Sequence, residues 1–200
     1  MTHLVVADRT SQGTDVELTL VERARDGDRH AFDRLVAARL PQAFRLAKAI
    51  TGHPGDAEDV TQEAFLQAWR NLPRLRDADR FDAWFGRILV NEARMAIRRR
   101  GRVMTVSVDA IDVRDGETGS YVPASLGSVD PSIDAIAQGD ALQRAIDRLT
   151  VDQRTILALH HLEERPVAEI ADVFGIPVGT AKWRLHEARA ALQRAMETQR

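Results

Sequence analysis

Apolar residues recur along the chain at intervals of three and four, the period of a helix buried on one side. The clearest case is EIADVFGIPVGTAKWRLHEARAAL, from Glu169 to Leu192. A short apolar stripe over 167–174 stops at Gly175, which can take the left-handed conformation of a helix end. Pro177 then presets the entry to a longer helix with Val178, Ala181, Leu185, Ala188 and Leu192 on one side. Upstream, Thr150-Val151-Asp152-Gln153 reads as a capping box, predicting a helix from there to about Leu162. Leu142, Ile146 and Leu149 mark one face of a short helix before it.

The first half carries the same period. DAEDVTQEAFLQAWRNL predicts a helix capped by Asp56 after a turn over 52–55 and running to about Asn71. Val60, Ala64, Phe65, Ala68, Trp69 and Leu72 form its apolar side, with Glu58, Asp59, Gln62 and Glu63 crowding the other. Carboxylates in a first turn complement the helix dipole, or they form an acidic docking face for a basic partner. The next helix, from about Arg80 to Arg100, lines up Arg80, Arg87, Asn91, Arg94 and Arg98, with Phe81, Phe85, Ile88, Leu89 and Ala96 opposite. No stretch alternates in the manner of a half-buried strand, so the fold class is all-α.

Between Val103 and Gly139 the helical period gives way to Gly, Ser, Pro and Asp, the composition of a chain that cannot bury enough apolar surface to offset its ordering entropy. This predicts a flexible N-terminus (1–14), a helical domain (15–102), a flexible linker (103–139) and a second helical domain (140–200). By random-coil scaling the linker could reach several tens of Å. The net charge of −2 conceals an uneven distribution. Residues 15–102 hold 17 basic and 14 acidic side chains, residues 103–140 one and seven, and residues 141–200 nine and eight. Two mildly basic blocks thus flank an acidic middle.

With no cysteine, disulfides, thiolate zinc sites and cysteine nucleophiles are excluded together. His160 and His161 are adjacent rather than four apart on one face, and neither H-E-x-x-H nor a phosphate-loop motif occurs. No enzyme activity, metal site or cofactor is expected. The apolar run near the N-terminus is too short for a signal peptide or a spanning helix, so a soluble, cytoplasmic protein is expected.

The chemistry that remains points to nucleic acid. Two helices joined by a Gly-containing turn, the second longer, is the arrangement that lays a recognition helix in a major groove. With its apolar stripe buried, that helix would present Thr180, Lys182, Trp183, Arg184, His186 and Glu187. The arginine stripe of the earlier helix ends in RRRGR and is bordered by Trp84, a phosphate track with an aromatic at its edge, suited to single-stranded or opening DNA.

Together the two blocks resemble the extracytoplasmic-function (ECF) sigma factors of the sigma-70 family, specificity subunits of bacterial RNA polymerase. DAEDVTQEAFLQAWRNL looks like the family's polymerase-binding helix, RFDAWFGRILVNEARMAIRRR like its promoter-opening helix in region 2, and EIADVFGIPVGTAKWRLHEAR like its upstream promoter reader in region 4. The resemblance implies core polymerase (its beta-prime clamp helices and beta subunit) and promoter DNA as partners, with an anti-sigma factor as a further candidate. It implies that Asp56, Asp59, Gln62 and Glu63 dock on the clamp helices. Leu75, Arg76 and Asp77 would capture a flipped base, and Arg80, Trp84, Arg87, Asn91, Arg94 and Arg98 would hold the opening minus-ten region. Thr180, Lys182, Trp183, Arg184, His186 and Glu187 would read the minus-thirty-five duplex. Trp183 replaces a usual small residue, Ala181 a larger aliphatic one, Pro166 a small or aromatic one, and Leu75 an aromatic found in some relatives. The rival expectation is a self-sufficient helix-turn-helix regulator, which would leave the arginine helix of the first block idle.

Overall fold

The computed structural model describes residues 16–108 and 141–198, all of whose regular elements are helical. The expected flexible N-terminus and the linker over 109–139 lie outside the described residues. The N-terminal module comprises α1 (16–25), α2 (Arg29–Thr51), α3 (Pro54–Asn71) and α4 (Phe81–Val108). The C-terminal module comprises α5 (141–147), α6 (Val151–Leu157), α7 (Val167–Phe174) and α8 (Val178–Glu197). Helix α4 runs to Val108, past the point where the linker is expected to begin.

Local chemistry sets most of the boundaries. The Asp28 carboxylate caps α2 by accepting from the Ala31 N–H at 3.1 Å, and Gly52 ends it at φ 74°. The start of α3 differs from expectation: the cap is His53, and Pro54 opens the helix, its fixed φ suiting a first turn whose N–H needs no partner. Asp56 therefore lies inside the first turn, where its carboxylate pairs with Arg100 of α4 at 3.0 Å. Between α3 and α4 the chain forms two short 3-10 turns, Leu72–Arg74 and Ala78–Arg80, the second capped by the Asp77 carboxylate.

The capping box of α6 is present in both directions, Gln153 N–H to Thr150 Oγ1 at 3.3 Å and Thr150 N–H to Gln153 Oε1 at 3.0 Å. The helix continues to Leu162 as expected, but its last stretch, Ala158–Leu162, widens into a π turn. Gly175, at φ 65°, stops α7, and Pro177 is the cap of α8. On α8, Ala181, Leu185 and Ala188 are buried, whereas Val178 is exposed and Leu192 half-buried.

The N-terminal core combines aliphatic side chains, Leu35, Leu46, Ile50, Leu72 and Leu89 among them, with aromatic rings. Phe65 and Phe81 both stack on Phe85, at 4.8 and 5.9 Å between centroids, and Phe32 meets Trp69 at 4.9 Å. Arg39 ties α2 to its neighbours, reaching Glu17 of α1 and Asp82 of α4, the latter at 2.8 Å. The C-terminal core is aliphatic: Ile156, Leu159, Ile170, Val173, Leu185 and Ala188. The two cores meet where α7 lies against α4, so the buried apolar cluster runs continuously through both modules.

Candidate nucleic-acid interface

Helix α8 presents its outer face much as its periodicity requires. Lys182, Trp183 and His186 are exposed, Trp183 retaining 62% of its accessible surface, while Thr180, Arg184 and Glu187 are half-buried. A large indole left this open on a helix whose opposite side is fully packed gains nothing from its own fold. Alongside Lys182, it gives the first turns of α8 a flat apolar plate beside a cation, chemistry that meets thymine methyl groups and phosphates in a groove.

Helix α4 departs from the simple solvated stripe. Arg80, Asn91 and Arg98 are exposed, but two arginines of the same line are engaged by the other module. Arg87 donates to the carbonyl of Asp172 at the end of α7, and Arg94 donates to Asp152 of α6 at 2.8 Å. The Asp152 carboxylate also lies 4.0 Å from Arg184 of α8. Arg94 and Arg184 both face the Phe174 ring, at 5.0 and 6.0 Å from its centroid. Trp84 is half-buried and packs beside Phe81, 5.9 Å between centroids.

The loop between α3 and α4 corrects one expectation. Leu75 is buried at 8% exposure, its apolar side chain drawn into the core beneath the two 3-10 turns, so it offers no surface to a base in this conformation. Arg76 and Asp77 remain exposed there, although Asp77 already spends one oxygen on the Asp79 N–H at 3.1 Å.

The acidic face of α3 lies between two depressions. On one side Asp56, Asp59, Gln62 and Glu63 share a furrow of about 660 Å³ with Met95, Arg99 and Arg100 of α4. On the other, Gln62 and Glu58 rim an apolar groove of about 870 Å³ between α2 and α3, floored by Phe32, Phe44, Phe65 and Trp69. Sequence reasoning missed this groove. Its signal was present in α2, where Leu40 and Pro41 place apolar surface outside the buried stripe, and Leu40 is left 46% exposed. Among the described residues no cluster of His, Asp or Glu could hold a metal ion, and no helix is long and apolar enough to cross a membrane.

Comparison with known proteins accounts for the arrangement of both modules. Residues 35–103 match Sigma-70 region 2 and residues 139–192 match Sigma-70, region 4. The chain is 32% identical to the ECF RNA polymerase sigma-E factor of Escherichia coli K12 over 89% of its length and 93% of the relative's. It is 31% identical to the RNA polymerase sigma-H factor of Pseudomonas aeruginosa, over 89% and 92%. Among solved structures it resembles the sigma factor RpoE crystallised with the anti-sigma factor NepR from Bartonella quintana, with a TM-score of 0.63 and 26% identity over 84% of this chain and 98% of that one. The fold is also that of CnrH in complex with the cytosolic domain of CnrY, with a TM-score of 0.63 and 24% identity over 92% and 98%. Since the likeness runs through both modules at more than 30% identity, the chain belongs to the ECF RNA polymerase sigma factors.

Proposed function

We infer that this sigma factor directs core RNA polymerase to its promoters by a division of labour among three faces, acting in the cytoplasm by binding rather than by catalysis. Asp56, Asp59, Gln62 and Glu63, with the neighbouring groove between α2 and α3, dock on the clamp helices of the polymerase. Acidic side chains around an apolar trough suit a basic, amphipathic helical partner. The observation that carries the reading is the coexistence, on one chain, of this docking face and two separate cationic DNA faces, which a self-sufficient helix-turn-helix regulator would not need.

Helix α8 reads the minus-thirty-five element as intact duplex, with Thr180, Lys182 and Arg184 toward phosphates and base edges and Trp183, His186 and Glu187 alongside. Helix α4 and the loop before it take the minus-ten strand once it has opened. Arg76 and Asp77 flank the captured base, and Arg80, Trp84, Arg87, Asn91, Arg94 and Arg98 follow the backbone. Unstacking a base costs a few kcal/mol per step. A face that binds only the extruded strand shifts the equilibrium toward the open promoter by that differential affinity, with no bond made or broken. Each module carries only a small net positive charge, so DNA binding by the free chain is weak and strongly salt-dependent, and tight engagement requires the polymerase's own contacts. An anti-sigma factor fits the same scheme as a competitor for the docking groove.

Transcription in vitro from a promoter library, with core polymerase and with or without this protein, tests the reading. Start-site choice should appear only when the protein is added. The double substitution Asp59→Ala, Gln62→Ala should reduce retention on immobilised core polymerase, and unchanged retention would remove the docking assignment.

A further inference from the structure

The outer face of α8 holds two features that the fold of the chain does not require. Gly179 is the second residue of the helix, where glycine is less favourable than alanine. Other glycines have structural reasons: Gly52 and Gly175 turn left-handed to end α2 and α7, and Gly86 abuts Val173. Gly179 is not left-handed, and apart from its chain neighbours and the helix's own backbone nothing lies within 4 Å of where its Cβ would stand. One turn on, Trp183 is 62% exposed, more than any other large apolar side chain among the described residues. Residues four apart share a helix face, so Gly179 and Trp183 stand together opposite the buried Ala181, Leu185 and Ala188. Helical side chains lean toward the preceding turn, which makes the indole a wall beside Gly179 while the space above the glycine itself stays open.

A notch walled by an aromatic ring fits one projecting group of the major groove. Thymine carries a 5-methyl there, whereas the other base edges present hydrogen-bond donors and acceptors. Those polar edges would lose water against the indole without gaining a partner. A methyl loses nothing by the same exchange and gains burial. With α8 assigned to the upstream duplex, on which this step depends, we propose that the Gly179 notch and the Trp183 indole select a thymine in the minus-thirty-five element by its methyl group. Gly179 lets the helix backbone approach the base edge, and the ring covers the methyl. Lys182, exposed beside the ring, meets a flanking phosphate and fixes the depth of the helix in the groove. Hydrogen bonding by the polar side chains of α8 does not tell thymine from uracil, and the notch does.

The promoter duplex that the polymerase complex selects from the library supplies the probe, with each thymine of its upstream element replaced singly by uracil, which removes only the methyl. Affinity is measured for the full-length chain bound to core polymerase. One replacement should weaken binding about fourfold, the value of burying one methyl group. The ratio should hold as salt is raised, because no phosphate contact changes. Trp183→Ala and Gly179→Ala should each bind the thymine and uracil duplexes alike. Gly179→Ala should do so without lowering the midpoint of thermal unfolding, since its added methyl meets no packed part of the chain. An upstream element without thymine, uracil tolerated at every position, or a thymine preference that survives Trp183→Ala overturns the proposal. So does loss of retention on core polymerase without DNA in Trp183→Ala, which would make the ring a protein contact. Those results leave start-site choice by the parent chain intact, whereas failure of the polymerase complex to select any upstream element would remove the assignment of α8 itself.

Discussion

The two modules solve the same problem, burying one face of each helix, with a different mix of side chains. The N-terminal module adds the stacked rings of Phe65, Phe81 and Phe85 to an aliphatic core, and Phe32 meets a partly exposed Trp69 at the groove. The C-terminal module has aliphatic side chains, alanines and Thr155, and no aromatic ring, among its described buried residues, and it places Val173 against Gly86 of its neighbour. Aromatic rings bury the most surface per residue and set inter-helix spacing, whereas small aliphatic cores leave a domain of this size marginal on its own. The first module thus serves as a platform, and the second is a lighter head that gains burial by resting on it.

Removing a central side chain from each core should show the contrast most strongly. Phe85→Ala opens a ring-sized cavity between two stacked partners and should cost about 3–5 kcal/mol of stability. Ile170→Ala should cost about 2–5 kcal/mol, and its functional consequence should be confined to upstream duplex binding, because the groove proposed to dock polymerase is built entirely from α2 and α3. Urea denaturation, together with retention on core polymerase, measures both effects. Equal loss of retention in the two variants would show that the modules do not act as platform and head.

A smaller effect separates the two DNA faces. Lys182→Ala should lower the salt dependence of upstream duplex binding by about one unit of slope, the loss expected for one phosphate contact. Asn91→Ala should leave that slope unaltered and slow promoter opening instead. Titrations across salt concentration and a fluorescent reporter of strand opening distinguish the two. If both substitutions lowered the same slope, α4 would be touching duplex rather than opened strand.

How much of this was legible in the sequence follows the range of the interactions. The capping box at Thr150, the stop at Gly175 and the buried line of Ala181, Leu185 and Ala188 depend on neighbours within one helix, and they stand where the periodicity puts them. The start of α3 moved because two local signals competed and the fixed ring of Pro54 prevailed over the carboxylate of Asp56. Leu75 lies in a loop, where alternation gives no inward or outward direction, and its burial depends on packing beneath the turns. The pairing of Arg94 with Asp152 spans 58 residues of sequence, so no spacing rule could reveal it. The groove between α2 and α3 likewise exists only once the two helices are side by side.

Capping chemistry extends the comparison to acid pH. Helix α2 of the platform is capped by a charged group, Asp28, while α6 of the head is capped by the neutral hydroxyl of Thr150. The backbone N–H of Ala31, followed by the Arg23 side chain, holds the Asp28 carboxyl below its ordinary value of 3.8. A carboxyl whose pKa is depressed by folding adds stability above its unfolded pKa, and that contribution disappears as pH falls through the lower folded value. Asp28→Asn keeps an oxygen able to cap the helix but removes the charge that Arg23 meets, at 2.6 Å in the native chain. The variant should therefore be less stable than the parent at neutral pH, and the gap should close in acid once the parent's carboxyl is protonated too. Because the Thr150 cap carries no titrating group, Thr150→Ala should instead cost about 1 kcal/mol. That deficit should be equally large at both ends of the pH range. Thermal denaturation at neutral and acid pH, with each variant set beside its parent, would reverse this assignment if the Thr150 deficit were the one that shrank.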